Sequence, residues 1–245
     1  MRMSVVIPVR DDARMLDACL QALAAQSRRA DEVVVVDNAS SDDGAAVARR
    51  HGAQVVAEPV VGIPRAAATG YDAATGDVIA RLDADSVPGP GWLAALERAF
   101  EGDPPPDFVT GGARFYGASA AVRWAGRHLY IGGMYGVLTP YLGHPPLYGS
   151  NMAMRAEAWR TLSAEVHRDD PGIHDDLDLS FHIRPDMTVR YLPDLIVDVS
   201  ARPFDGWPSL RRRLSRVVPT LRLHPSGARA MRHRRALRAA HAARR

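Results

Sequence analysis

Apolar positions in the first hundred residues fall into two alternating patterns, short β-branched runs and stripes at helical spacing. Ser4-Val5-Val6-Ile7 reads as a buried strand ended by Pro8. Met15, Leu16, Cys19, Leu20 and Leu23 follow on one helical face, with Asp11 and Asp12 placed to cap it. Glu32 leads into the unbroken run Val33-Val34-Val35-Val36, as expected of a strand covered on both faces, and the run stops at Asp37. Ser40, Ser41 and Asp42 predict the cap of a helix reaching about Arg50, and Gln54-Val55-Val56 a third strand. Gly62 to Ala74 reads as helix, with Pro64 suited to its first turn. Asp77 to Leu82 is the next strand, ending at Asp83, and Trp92, Leu93, Leu96 and Phe100 mark a helix entered through Pro90.

Beyond the proline-rich loop from Asp103 to Asp107 the pattern changes. Phe108-Val109-Thr110 predicts a strand. The segment from Phe115 to Tyr148 mixes glycines with aromatic residues, and Gly132-Gly133 and Pro140 predict breaks in any helix there. A helix is expected to begin near Asp175, and Val189 to Leu192 and Leu195 to Val199 read as two strands. No internal repeat is visible. Strands alternating with helices imply the α/β class: an open, Rossmann-like, mostly parallel sheet flanked by helices, with right-handed crossovers. Such sheets bind ligands outside the carboxyl ends of their strands. Here two of those ends carry a carboxylate, Asp37 and Asp83.

Composition sharpens the picture. With 47% apolar and 24% charged residues, the 245-residue chain can bury a substantial core. The net charge of +3 hides a division: from Trp207 to Arg245 there are 12 arginines and no acidic residue, which leaves 19 basic side chains against all 28 acidic ones in residues 1–206. An acidic domain over 1–206 therefore precedes a basic helical extension over 207–245. The single Cys19 excludes an intramolecular disulfide and a cysteine-rich zinc site. The nine histidines are scattered, so no histidine cluster for zinc is expected and most should lie on the surface. No apolar run reaches the roughly 18 residues of a spanning helix. This predicts neither signal peptide nor anchor, and a cytoplasmic location.

Three places could carry chemistry. Arg81-Leu82-Asp83-Ala84-Asp85-Ser86 sets two carboxylates one residue apart just past a buried strand, where they can converge on one hard cation or divide between a cation and a ribose. Asp37, with Asn38 and Ser40, can accept hydrogen bonds from a nucleobase or ribose, or serve only as a helix-capping turn. His174-Asp175-Asp176-Leu177-Asp178 puts three carboxylates at a helix start, where the helix dipole favours them. One of them can act as a general base if it points at a bound hydroxyl. A G-x-G-x-x-G dinucleotide loop is absent after the first strand, where Pro8-Val9-Arg10-Asp11 stands, and no P-loop occurs.

Val5-Val6-Ile7-Pro8-Val9-Arg10, Val35-Val36-Asp37-Asn38-Ala39-Ser40, Leu82-Asp83-Ala84-Asp85, Gly149-Ser150-Asn151 and Asp175-Asp176-Leu177-Asp178-Leu179-Ser180 occur in this order. Together they resemble the family 2 glycosyltransferases of GT-A fold, over roughly residues 3–200. The resemblance implies inverting transfer from a nucleotide-diphosphate sugar with Mg²⁺ or Mn²⁺. It divides the domain into a nucleotide-sugar half, 1–112, and an acceptor half, 113–206. It places Pro8, Arg10, Asp37 and Asn38 around the nucleotide, Arg65 at the nucleotide or diphosphate, Asp83 at ribose or metal and Asp85 on the metal. Asp176 becomes the base, with Asp175 beside it where the family often has Glu. Where many relatives supply a late histidine to the metal, this chain has Ser200-Ala201-Arg202-Pro203, and Arg202 is available to the diphosphate instead.

Two readings of other classes compete: a nucleotide-sugar-binding scaffold without turnover, and a nucleotidyltransferase, which would want a glycine-rich, lysine-bearing first loop. Aromatic residues between Phe115 and Tyr148 would either line an acceptor pocket for a glycan, lipid-linked or small-molecule acceptor, or simply pack. In the extension, Leu210, Leu214, Val217, Val218 and Leu221 recur at helical spacing among arginines. That pattern suits peripheral contact with an anionic membrane, packing on the acidic domain, or a homodimer contact. It lacks the interleaved aromatics of a nucleic-acid surface, so no nucleic-acid partner is expected.

Overall fold

The computed structural model describes residues 1–204, 206, 211 and 215–224. In chain order the elements are β1 (Met3–Val9), α1 (Ala13–Ala24), β2 (Glu32–Asp37), α2 (Gly44–Arg50), β3 (Gln54–Ala57), α3 (Ile63–Ala73), β4 (Val78–Arg81), β5 (Ser86–Pro88) and α4 (Trp92–Phe100). Then come β6 (Phe108–Tyr116), α5 (Ala120–Ala125), a π-helical turn (Gly126–Ile131), α6 (Gly132–Leu142), β7 (Met152–Arg155), α7 (Ala156–Leu162), α8 (Asp175–His182) and β8 (Val189–Ser200). A 3-10 turn (Arg202–Phe204) and a last helix (Val217–Leu223) follow. Residues 207–210, 212–214 and 225–245 of the basic extension, Leu210 and Leu214 among them, lie outside the described residues.

The strands form one sheet in the order β3-β2-β1-β4-β7-β6-β8-β5. Pairing is parallel across β3-β2-β1-β4 and again between β6 and β8. β7 runs antiparallel to β4 and β6, and β5 antiparallel to β8. Alternation along the strands feeds two cores, because successive side chains point to opposite faces. Met3, Val5, Ile7 and Val9 of β1 pack with Val35, Val78 and Ala80 against α1, α2 and α4. Val6, Val34, Val36 and Ile79 pack against α3, α7 and α8 on the other face. Covered on both sides, the valine run of β2 had to be continuous.

Several local expectations are corrected. Asp12, expected to cap α1, makes no capping hydrogen bond, whereas Asp42, expected to cap α2, accepts from the N–H of its first residue, Gly44, at 3.1 Å. Ser41 donates from its N–H and hydroxyl to Asp11, and Asp42 also accepts from the N–H of Ala13 at 2.8 Å. The loops after β1 and β2 are thus laced to each other, and Asp42 holds the first residues of both α1 and α2. Asp11 and Ala39 in those loops have φ of 49° and 55°, a region non-glycine residues seldom enter. Gly132-Gly133 does not break the helical run, which passes from α5 through the π turn into α6 with Pro140 inside. The two strands expected after Val189 are one, β8, bulging where Gly111 pairs with Leu192 and Gly112 with Ile196.

Candidate active site

The carboxyl ends of β1 and β4, Asn38 just past β2, and the start of α8 open onto a crevice of about 540 Å³. β1 contributes Pro8 and Val9, with Arg10 just beyond; the segment after β4 contributes Asp83, Ala84 and Asp85; α8 and its preceding residue contribute His174, Asp175 and Asp176. Arg202 and Arg216 reach it from the C-terminal part. Five aspartates and four arginines share these walls, so one crevice offers oxygen donors for a cation and positive charge for an anionic ligand.

Arg81 organises the floor. It is buried in β4, and its guanidinium donates to Asp83 at 3.0 Å and to Asp175, with the Tyr71 hydroxyl at 3.3 Å. Burial alone would lower the Arg81 pKa, but Asp175 foremost, then Asp83 and Asp176, hold it well above its ordinary value. Burial in turn raises the Asp175 carboxyl, opposed by Arg81 and reinforced by the negative charge of Asp176 and Asp83.

The turn Gly149-Ser150-Asn151 sets the carboxylates in place. The Gly149 N–H donates to Asp176 Oδ2 at 2.8 Å, and the Ser150 hydroxyl to Asp83 Oδ2 at 2.5 Å. Asn151 anchors the turn to the sheet by donating to Gly112 O and Leu195 O and accepting from the Trp92 indole. Asp176 also accepts from the Leu177 N–H at 2.8 Å, so both its oxygens are oriented by backbone donors. Across the crevice, Arg202 pairs with Asp12 and reaches Asp85 Oδ2 at 3.2 Å. The hydrogen bond donated to Asp12 first, then the charges of Asp12 and Asp85, raise the Arg202 pKa against the effect of burial. The Tyr116 hydroxyl donates to the backbone carbonyl of Asp85 at 2.9 Å and so fixes that residue.

Of the residues singled out in the sequence, Pro8, Arg10, Asn38, Asp83, Asp85, Asp175 and Asp176 line the crevice, and Asp37 and Arg65 do not. Asp37 accepts from the Ser40 N–H at 3.1 Å and so shapes the turn beside the crevice. The Asn38 amide is engaged by Glu58 O, Val60 O and Gly62 N, tying β2 to the loop before α3. Arg65 pairs with Asp169 and lies 3.6 Å from Glu58. The carboxylates of Asp83 and Asp85 are the oxygen donors a hard divalent cation such as Mg²⁺ or Mn²⁺ takes. Arg202 competes for Asp85.

Residues 4–162 match the family model for glycosyl transferase family 2. The chain belongs to that family. It is 43% identical over 111 residues to the uncharacterized glycosyltransferase Rv0539 of Mycobacterium tuberculosis, a stretch covering 45% of this chain and 48% of that protein. The chain thus spans about half the length of the curated relatives it matches. Among solved structures it resembles the mannosyltransferase PcManGT from Pyrobaculum calidifontis in complex with GDP-Man and Mn²⁺, with a TM-score of 0.71 at 21% identity over 96% of this chain and 68% of that one. It also resembles glucosyl-3-phosphoglycerate synthase from Mycobacterium tuberculosis in complex with Mn²⁺, UDP and glucosyl-3-phosphoglycerate. There the TM-score is 0.56 at 19% identity, over 90% of this chain and 78% of that one. At such identities these structures establish the fold, which is GT-A.

Within this family 2 domain, Arg81, Asp12, Tyr116 and Arg216 belong to the site or brace it without standing in any of the family-like motifs of the sequence. Arg81 left a signal, since an arginine inside an apolar strand is buried only when paired. Asp12 and Arg216 left none, because their surroundings are assembled from distant segments. The aromatic segment is mostly packing: Phe115, Tyr130 and Phe204 form an edge-on cluster, and Tyr135 is hydrogen-bonded to Thr110 and Gly111. Among the described residues no helix is long and apolar enough to cross a membrane.

Proposed function

We propose that the chain is an inverting, metal-assisted glycosyltransferase that moves a sugar from a nucleotide-diphosphate sugar to an acceptor hydroxyl. One observation carries this reading: Asp85 and Asp176, distant along the chain, line a single crevice together with Arg202 and Arg216. Solved structures of the same fold hold GDP-Man with Mn²⁺ and UDP with Mn²⁺, which supports this class of donor.

Direct displacement at the anomeric carbon requires the acceptor oxygen opposite the leaving diphosphate. Asp176 suits the base, because it lines the crevice and backbone donors orient both its oxygens while leaving each a second lone pair free to accept a proton. Asp175 suits it less, since Arg81 holds that carboxylate in a buried ion pair. Asp85, with Asp83, would hold Mg²⁺ or Mn²⁺, whose chemistry when bound is to neutralise charge on the departing diphosphate. Arg202 and Arg216 add fixed positive charge on the same side. Pro8, Arg10 and Asn38 frame the nucleotide end, and Asp37 acts through the turn at Ser40.

The test is a product assay on the full chain with UDP-, GDP- and dTDP-sugars, Mn²⁺ and a panel of hydroxyl acceptors. Nucleoside diphosphate released only with an acceptor, and a product of inverted anomeric configuration, supports the proposal. Pyrophosphate release would mean nucleotidyl transfer, binding without release a non-catalytic scaffold, and a retained configuration a different mechanism.

A further inference from the structure

A second cluster of metal-ligating side chains lies on α8, outside the residues lining the crevice. Asp178 and His182, four residues apart on α8, meet His167 from the preceding loop and His224 from just beyond the last helix. One ligand atom from each of the four falls within 4.8 Å of every other. His167 Nδ1 and His224 Nε2 each lie 2.7 Å from Asp178 Oδ1, and His182 Nε2 lies 3.7 Å from the same oxygen. This corrects the expectation of scattered surface histidines, since His182 and His224 are 7% and 5% exposed.

Hydrogen bonding alone leaves this cluster incomplete. The 3.7 Å separation is too long for a hydrogen bond, and both ring nitrogens of His182 are buried without a hydrogen-bond partner, each with only a carboxylate oxygen at 3.6–3.7 Å. Asp178 is 2% exposed, and its ion pairs among the described residues are all to imidazoles, which carry charge only when protonated. A buried carboxylate with no permanent cation beside it invites one. Three imidazole nitrogens and one carboxylate oxygen match a closed, four-coordinate zinc site. The donor separations, from 2.7 to 4.8 Å, straddle the edge of about 3.3 Å of a tetrahedron with bonds near 2.0 Å. Glu165 Oε2 stands 3.6 Å from His182 Nδ1, where a carboxylate would orient a ligating imidazole.

We propose that His167, Asp178, His182 and His224 form a structural zinc site that fastens the C-terminal segment to α8. The segment it would fasten also carries Thr220, whose hydroxyl accepts from the His174 N–H at 3.0 Å, and Arg216, which lines the crevice. Nitrogen-rich ligation separates this site from the oxygen-donor pair Asp83 and Asp85, which suits Mg²⁺ or Mn²⁺.

The test is metal analysis of the purified full chain after dialysis in metal-free buffer. The expected result is about one zinc per chain, with a Co²⁺-exchanged sample showing the intense visible absorption of tetrahedral cobalt. Chelator treatment should lower Tm, and Zn²⁺ at about a hundredfold excess over its Kd should restore roughly 5–10 °C. His182→Ala and His224→Gln should each lose the zinc, while Asp85→Ala keeps it. Should a variant fail to fold, the cobalt spectrum and the Zn²⁺-dependent Tm of the unaltered chain decide. No retained zinc, no cobalt band and no Tm response would overturn the proposal, as would zinc that persists in a folded His182→Ala protein.

Discussion

A methyl group built on Gly149 would stand 2.9 Å from the guanidinium carbon of Arg81. Glycine is therefore required here by close approach, because the guanidinium that joins Asp83 to Asp175 lies flat against this backbone. Gly149→Ala should push Arg81 away at a cost of about 1–3 kcal/mol for overpacking. The displacement should also loosen Asp176, which takes its hydrogen bond from the Gly149 N–H. Urea unfolding and donor-induced thermal shifts measure the two effects; unchanged values in both would mean that Arg81 has room to move.

Asp175 and Asp176 are neighbours in sequence with different surroundings, so their amide variants should separate. Asp176→Asn should keep donor binding and lower transfer by about 10²–10⁴-fold, the usual contribution of a general base. Asp175→Asn leaves Arg81 buried with Asp83 as its remaining carboxylate partner among the described residues, and should destabilise the fold by about 3–5 kcal/mol. Single-turnover transfer rates and urea midpoints read the two outcomes. Lost donor binding in Asp176→Asn would reassign that residue to the donor.

The contrast between these aspartates shows what a sequence can carry. The run of Val33 to Val36 and the stripe of Leu16, Cys19, Leu20 and Leu23 declare β2 and α1 because burial on both faces of one sheet dictates them locally. β7 was not predicted: Met152-Ala153-Met154 has no β-branched residue, and it is a strand because β4 and β6 flank it. The motif residues Asp83, Asp85 and Asp176 were legible because chemistry-bearing carboxylates stand at element ends. Their supports were not, since Arg81 gains meaning only from Asp175 and Gly149. The cluster around Asp178 was invisible for the same reason. His167, His182 and His224 have no motif spacing and are brought together by the packing of the last helix on α8.

Arg202 holds Asp85 and Asp12 at once, and removing it should change two affinities in opposite directions. Its side chain is 47% exposed, so Arg202→Ala should alter stability by no more than about 1 kcal/mol. Without its competitor, Asp85 should bind Mn²⁺ alone more tightly, while the nucleotide-diphosphate donor loses a cationic contact and transfer falls by about 10²-fold. Calorimetric titration of Mn²⁺ and of nucleoside diphosphate separates the two. If both affinities fall, Arg202 orients Asp85 for the cation rather than competing with it.

Far from the crevice, Glu32 ties the amino-terminal end of the sheet together and should govern stability in acid. It accepts hydrogen bonds from the Ser4 hydroxyl and, at 2.8 and 3.1 Å, from the N–H and hydroxyl of Thr75. Burial would raise its carboxyl, but the hydrogen bonds from Ser4 and Thr75 outweigh that and hold it below the ordinary glutamate value. Between the folded value and the unfolded value of about 4.3, the unfolded chain binds more protons. The stabilisation is therefore complete above the unfolded value and is lost as pH falls through the folded one. Glu32→Gln should cost about 1.5–3 kcal/mol at pH 7, the range for hydrogen bonds to a charged group. The gap between variant and parent should close toward pH 3, read as converging urea midpoints. An equal deficit at both pH values would mean that Glu32 acts as a hydrogen-bond acceptor at both oxygens and not through its charge.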